Sequence, residues 1–294
     1  MQVPAEFEYA RAGSVAEAVE LLTAHGPDAR LVAGGHSLLP MMKLRLAAPE
    51  WLVDINDVPE MRGITREGDV VRVGAMTRHA ELLDSELLGE LFPVLREAER
   101  VIADPAVRNR GTIGGSLCQC DPAEDMTTVC EVLRAQVVVV GPRGTRTMAA
   151  RDVHAGPYES TLSFDEVLTE VRFPVRARAG SAYEKVERRT GDWAVAAAGA
   201  AVTLDEQGRA EDVAIGLTAL GVHGGITRAE EVLRAQVPTD DLVREAARVA
   251  AEEARPSADQ RGPVDYKRHL AGELTRRVLL RAVERATAAA QQEG

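Results

Sequence analysis

The sequence predicts an α+β fold, and three observations lead to it. Strand-like and helix-like stretches are grouped locally instead of alternating one for one, which disfavours a doubly wound parallel sheet. "AQVVVVGPRGTRTMAA" sets four consecutive valines before a Gly141-Pro142-Arg143-Gly144 turn, the mark of a deeply buried strand in a hairpin. The C-terminal part carries two helical patterns, near 240–255 and 264–290.

In chain order, the first element is a helix over "GSVAEAVELLTAHG". Val15, Ala18, Val19 and Leu22 fall on one helical face, with Ser14 as N-cap and Gly26-Pro27 as stop. "ARLVA" is a short apolar strand ending at Gly34, followed by a glycine loop and a short helix, and "WLVDIN" (51–56) is a second strand. "GITREGDVVRVGAMT" reads as two strands around a Glu-Gly-Asp turn, and helices are predicted over 78–88 and 91–102. After the valine hairpin, "DEVLTEVRFP" is a strand closed by Pro174. The polar, glycine-containing "VRARAGS" (175–181) reads as a domain boundary, separating 1–176 from 177–294. Beyond it, "DWAVAAAGAAVTLDEQGRAEDVAIGLTALG" is a long hairpin turning at Asp205–Gly208.

Bulk properties narrow the function classes. A chain of 294 residues with a net charge of −11 shows no basic face, which argues against nucleic-acid binding. No apolar run is long enough to span a membrane, and "MQVPAEFEYARAGS" lacks a basic region followed by an apolar one, so a cytoplasmic location is expected. Three cysteines do not suggest a disulfide framework. Aromatic residues make up only 3%, so the core must be aliphatic and Trp193 stands out.

The functional signal lies in two glycine pairs. "ARLVAGGHSLLP" (29–40) and "RGTIGGSLCQCDP" (110–122) each place an apolar residue, Gly-Gly and a nearby hydroxyl in series. Glycine-rich turns let backbone amides converge on an anion and let a phosphate approach the main chain. An acidic protein would grip a pyrophosphate this way, with neutral amides and the hydroxyls of Ser37 and Ser116. There is no G-x-x-x-x-G-K-[ST], and neither loop gives G-x-G-x-x-G. The competing reading is that the pairs are plain turns, as Gly224-Gly225 in "GVHGGITR" is taken to be.

Other chemistry finds less support. His36, inside a glycine turn, reads as a phosphate or loop-packing residue rather than a base. No Ser/His/Asp triad or acid–base dyad emerges, and Asp121 and Asp125 at i, i+4 fit a helix or a capped loop as well as a carboxylate pair. Cys118-Gln119-Cys120 lacks the further ligands a zinc or iron–sulfur site needs, with Cys130 the one remaining cysteine and His154 and His223 at no ligand spacing. No metal site is predicted.

"LVAGGHSLLPMMKLRLAAPEWLVDIND" together with "IADPAVRNRGTIGGSLCQCDPAEDM" resembles the FAD-binding medium subunits of the molybdenum hydroxylase (xanthine dehydrogenase) family, nearest its aerobic carbon monoxide dehydrogenase branch. The likeness continues through "SAYEKVERRTGDWAVAAA" and "SADQRGPVDYKRHLAGELTRRVLLRA". It implies a two-lobed FAD-binding domain of the vanillyl-alcohol-oxidase (PCMH) type, with lobes of about 1–56 and 57–176, and a smaller C-terminal α+β domain. The FAD pyrophosphate would then sit on Ala33, Gly34, Gly35, His36, Ser37 and Leu38 and on Thr112, Ile113, Gly114, Gly115 and Ser116. Asp125 corresponds to a position near the ribityl chain or ring edge, and Leu168 and Lys185 to flavin-facing positions. Trp193 stands in "GDWA", where relatives carry Tyr beside the isoalloxazine, and the alternative for it is a core anchor of the hairpin.

The same resemblance implies partners. A large molybdopterin-binding subunit and a small [2Fe-2S] subunit would complete a dimer of heterotrimers, with a quinone or another acceptor taking the electrons. Substrate oxidation would lie on a partner chain, and contact with the inner membrane would be made only through the complex. Two alternatives stay open: a sibling complex acting on an aldehyde, xanthine, N-heterocycle or aryl-CoA, and a nucleotide-binding or structural assembly subunit without a redox role.

Overall fold

The computed structural model describes residues 3–293. The chain divides into two interleaved compact units, one holding the residues up to Glu81, Asp104–Cys120 and Gln136–Arg172, the other Leu82–Ala103, Asp121–Ala135 and everything from Phe173. Among the described residues, no helix is long and apolar enough to cross a membrane.

The chain opens with strand β1 (Glu8–Arg11), helix α1 (Val15–His25), β2 (Ala29–Val32), α2 (Leu38–Lys43) and β3 (Trp51–Asp54). Helix α1 begins where Ser14 accepts from the Glu17 amide, and it stops at Gly26 in a positive-φ conformation, as the cap residues predict. The three strands form a parallel sheet in the order β1-β3-β2, so all three carboxyl ends emerge on one edge. Val32, Met42 and Leu52 bury together beneath α2.

β4 (Ile64–Glu67) and β5 (Val70–Gly74) form the expected hairpin. The helical stretch that follows is three helices rather than two: α3 (His79–Asp84), α4 (Glu86–Leu91) and α5 (Pro93–Val101). Ser85 caps α4 through the Leu88 amide, and Pro93, which has no amide hydrogen to donate, starts α5. α6 (Pro105–Arg108), α7 (Ile113–Gln119) and α8 (Asp125–Val132) come next.

β6 (Gln136–Gly141) and β7 (Gly144–Ala149) are the valine hairpin, with β8 (His154–Gly156), β9 (Glu159–Ser160) and β10 (Val167–Pro174) behind it. The order β4-β5-β10-β6-β7 makes a five-stranded sheet, and Val137, Val139, Leu168 and Val171, which share a face by register, are all buried.

β11 (Ala179–Val186) begins inside the segment read as a boundary, and with β12 (Ala196–Leu204) and β13 (Ala210–Thr218) it forms an antiparallel sheet. α9 (Thr227–Leu233), α10 (Asp240–Glu253) and α11 (Val264–Glu293) complete the chain. The core of this sheet and its helices is built from alanine, valine, leucine and isoleucine. Gly199 and Gly216 face each other across β12 and β13. A methyl group on Gly216 would meet the Thr128 Cγ2 at 2.9 Å, so the missing side chains give α8 its seat on the sheet.

Candidate functional site

The first glycine loop leaves the carboxyl end of β2, the edge of a parallel sheet where ligands gather. Gly35 has φ +77°, a left-handed conformation that glycine adopts without the penalty other residues pay. Asn56 Nδ2 binds the Ala33 carbonyl at 2.9 Å and fixes where the loop begins. Within the loop, no described group accepts a hydrogen from the amides of Gly34, Gly35, His36, Ser37 or Leu38. Ser37 heads α2 without capping it, and the His36 side chain lies in an exposed residue. Five successive backbone donors are therefore left for an outside acceptor, the donor set that suits a polyanion.

The second loop is built differently. Its amides are already engaged: Ile113 donates to Thr77 O (3.2 Å), Gly114 to Ala75 O (2.9 Å) and Ser116 to Thr112 O (3.0 Å). Thr112 Oγ1 caps α7 by accepting from the Gly115 amide at 3.1 Å. Gly114 is buried, and a Cβ there would lie 2.7 Å from the Ala75 Cβ, so this glycine serves packing. Gly115 is exposed, and an added Cβ would meet only the Thr112 Oγ1. Its main chain is thus exposed with no side chain over it.

The two loops touch through backbone. A Cβ on Gly34 would fall 2.3 Å from the Arg110 carbonyl oxygen, so no larger residue fits without moving them apart. Three polar residues absent from the sequence reading hold this junction. Arg78 donates to the Arg110 carbonyl and, at 2.6 Å, to Asn56 Oδ1. His79 accepts or donates at Ser116 Oγ across 2.9 Å, and its amide binds the Gly111 carbonyl. Asn56, Arg78 and His79 act on partners 22–37 residues away, so sequence spacing carries no sign of them. Leu168, on β10 in the same unit, is 4% exposed and sits at a register irregularity opposite Val139.

Asp125, Lys185 and Trp193 belong to the second unit. Asp125 opens α8 with its side chain buried. Lys185 Nζ binds Asp125 Oδ2 at 2.9 Å and the Val101 carbonyl at 3.1 Å, while the Tyr183 hydroxyl donates to Asp125 Oδ1 at 2.6 Å. Burial pushes the Asp125 carboxyl above the usual carboxylate range, and the Lys185 ammonium and Tyr183 hydroxyl pull it back. The Lys185 side chain is thus spent on an internal ion pair, and only its backbone has accessible surface. Trp193 is 40% exposed on a loop whose Gly191 packs against Ala103 O, so it is no core anchor.

Asp121 forms a local turn, accepting from the Ala123 amide at 2.9 Å, while both Asp125 oxygens are taken up by Tyr183 and Lys185. Cys120 is buried, which raises its thiol to about 11, and Cys118 is exposed.

Comparison with known proteins places this geometry. The family described as the FAD binding domain in molybdopterin dehydrogenase matches residues 5–176, and the CO dehydrogenase flavoprotein C-terminal domain matches 181–282. The chain is 44% identical to the carbon monoxide dehydrogenase medium chain of Hydrogenophaga pseudoflava, over 94% of this chain and 97% of the relative. It is 42% identical to the corresponding medium chain of Afipia carboxidovorans, over 97% and 99%. A solved carbon monoxide dehydrogenase from H. pseudoflava, lacking the Mo-pyranopterin moiety of its cofactor, superposes with a TM-score of 0.92 at 43% identity, over 96% and 99%. The chain belongs to the FAD-binding family of the molybdopterin dehydrogenases, as an oxidoreductase flavoprotein of the carbon monoxide dehydrogenase type.

Proposed function

We propose that this chain is the electron-transfer flavoprotein of a molybdenum-dependent carbon monoxide dehydrogenase, taking electrons from the [2Fe-2S] clusters of a small subunit and delivering them to a quinone or another acceptor. A large molybdopterin-binding subunit would oxidise the substrate, and the whole would assemble as a dimer of heterotrimers. The observation that carries the reading is the run of five amides, Gly34 to Leu38, with no protein acceptor. Backbone donors of this kind suit the two phosphates of FAD and explain how an acidic chain binds them.

When bound, FAD stores two electrons and exchanges them singly or in pairs, which is the chemistry a relay subunit needs. The residues of this chain bind and orient it. Gly34 through Leu38 offer main-chain donors with Ala33 fixing where the loop begins, Thr112 and Ser116 offer hydroxyls, and Gly34, Gly114 and Gly115 keep the second loop close and bare. Asp125, Leu168 and Lys185 are assigned to the ribityl and ring region, with the Asp125–Lys185 pair holding α8 and β11 in place. Trp193, half-exposed, is assigned to cover the flavin ring.

The test is to purify the chain with its co-expressed partner chains and measure FAD content and substrate-dependent dye reduction. One FAD per chain and reduction driven by carbon monoxide support the proposal. Reduction by an aldehyde or N-heterocycle but not carbon monoxide would place the complex in a sibling class. A complex without flavin would leave an assembly role.

A further inference from the structure

The guanidinium of Arg78 is a nearly buried cation that binds only neutral acceptors. The residue is 9% exposed. Its two bonded partners are the Arg110 carbonyl and the Asn56 side-chain oxygen, and among the described residues no carboxylate bonds it. Burial lowers its proton affinity, and the positive charges of Arg110 and Arg62 lower it further; Glu81, whose carboxylate accepts from the Arg78 main-chain amide at 2.7 Å, and Asp54, bonded to Asn56, raise it without bonding the guanidinium. A buried cation bonded only by neutral acceptors is costly, and an opposite charge arriving from outside would offset that cost.

The position of this cation tells what arrives. The Arg110 oxygen that Arg78 binds is the atom on which Gly34 closes, and Asn56 binds both Arg78 and the Ala33 carbonyl. The charge is therefore anchored where the two glycine loops meet, behind the unpaired amides of the first loop. Arg62 adds a second cation there, donating to the Asn56 carbonyl. In a chain of net charge −11, this is a local concentration of positive potential beside a set of anion-binding amides.

We propose that Arg78 is the counter-charge of the FAD diphosphate, held at the junction of the loops by Asn56 and the Arg110 carbonyl. This rests on the FAD reading of the site. Arg78 acts as a positioning residue: it fastens the loops and supplies a field that neutral amides alone do not.

The experiment uses the complex with its partner chains, stripped of flavin and titrated with FAD at several salt concentrations. Wild type and Arg78→Lys should share a salt-dependent affinity, because both keep the charge. Arg78→Met and Arg78→Gln should bind FAD about tenfold or more weakly, with a flatter dependence on salt. Arg78→Gln keeps donors for Asn56 and the Arg110 carbonyl, so it removes charge with the least disturbance of the loops. Affinity and salt dependence unchanged in Arg78→Gln would overturn the proposal. So would an Arg78→Lys complex as weak as Arg78→Gln, which would reduce the residue to a structural tie. A wild-type complex that takes up no FAD would instead refute the functional reading beneath it.

Discussion

Gly115→Ala separates a glycine kept for a ligand from one kept for the fold. Gly115 is the third residue of α7, exposed, with ordinary helical geometry. Replacing a helical glycine by alanine gains about 0.5–1 kcal/mol, because the unfolded chain loses freedom. Against this, the new methyl lies 2.9 Å from the Thr112 Oγ1 and displaces the cap, a loss of about 1 kcal/mol. The two effects nearly cancel, so stability should change by no more than about 1 kcal/mol. On the proposed function, FAD binding has no such compensation, since the methyl would occupy the face assigned to the diphosphate. The expected outcome is a melting temperature close to wild type and an FAD dissociation constant raised about tenfold, about 1.4 kcal/mol. Flavin fluorescence titration of the stripped complex, beside thermal melts, reads both. Unchanged affinity in a folded variant would refute the assignment of Gly115 to the cofactor, and a collapsed melting temperature would refute the packing argument.

Four further outcomes follow from the geometry. Gly34→Ala drives a methyl into the Arg110 carbonyl at 2.3 Å, backbone against backbone, and should lower both stability, by about 1–3 kcal/mol, and flavin content, read by melts and absorbance. Lys185→Met leaves the Asp125 carboxylate buried beside Tyr183 without its cation, and should cost about 3–5 kcal/mol in urea unfolding, with Lys185→Met combined with Asp125→Asn recovering much of the loss. Trp193→Ala, at a half-exposed position, should leave the melting temperature nearly unchanged while raising the fluorescence of bound flavin; unchanged fluorescence would remove Trp193 from the ring. Glu166 accepts two hydrogen bonds from Arg146 and one from the Ser163 amide, which hold its carboxyl at about 2. A depressed pKa stabilises the fold above the unfolded value and is lost as pH falls toward 2, so Glu166→Gln should cost about 1 kcal/mol at pH 6 and progressively less in acid, checked by unfolding at several pH values.

Much of this architecture can be read from residue pattern because its signals are local. The α1 caps, the Glu-Gly-Asp turn, the valine hairpin and the long β12–β13 hairpin all declare themselves within a few residues. α7 does not, because Gly114 and Gly115 argue against helix while the packing of Gly114 on Ala75 is tertiary. α8 is buried nearly all round, so it lacks the polar face that marks an amphipathic helix. β11 starts with Ala179 and Gly180, residues that read as a linker until the partner strand β12 supplies the pairing. The candidate site divides in the same way. Its glycine pairs are visible as a repeated motif, whereas Asn56, Arg78 and His79 matter through backbone and side-chain partners far along the chain. The two loops also resemble each other in sequence and differ in use: one leaves its amides open and the other bonds them to Ala75, Thr77 and its own cap.

On the proposed function, this chain carries flavin as the outlet for electrons taken from carbon monoxide. The most direct measurement is to mix the anaerobic complex with carbon monoxide and follow flavin absorbance beside the iron–sulfur bands. The flavin bands should bleach at least as fast as acceptor turnover, and a complex carrying Gly34→Ala should reduce its clusters while showing diminished flavin bleaching and acceptor turnover. Turnover with the acceptor at full rate while the flavin stays oxidised, or is absent, would contradict it.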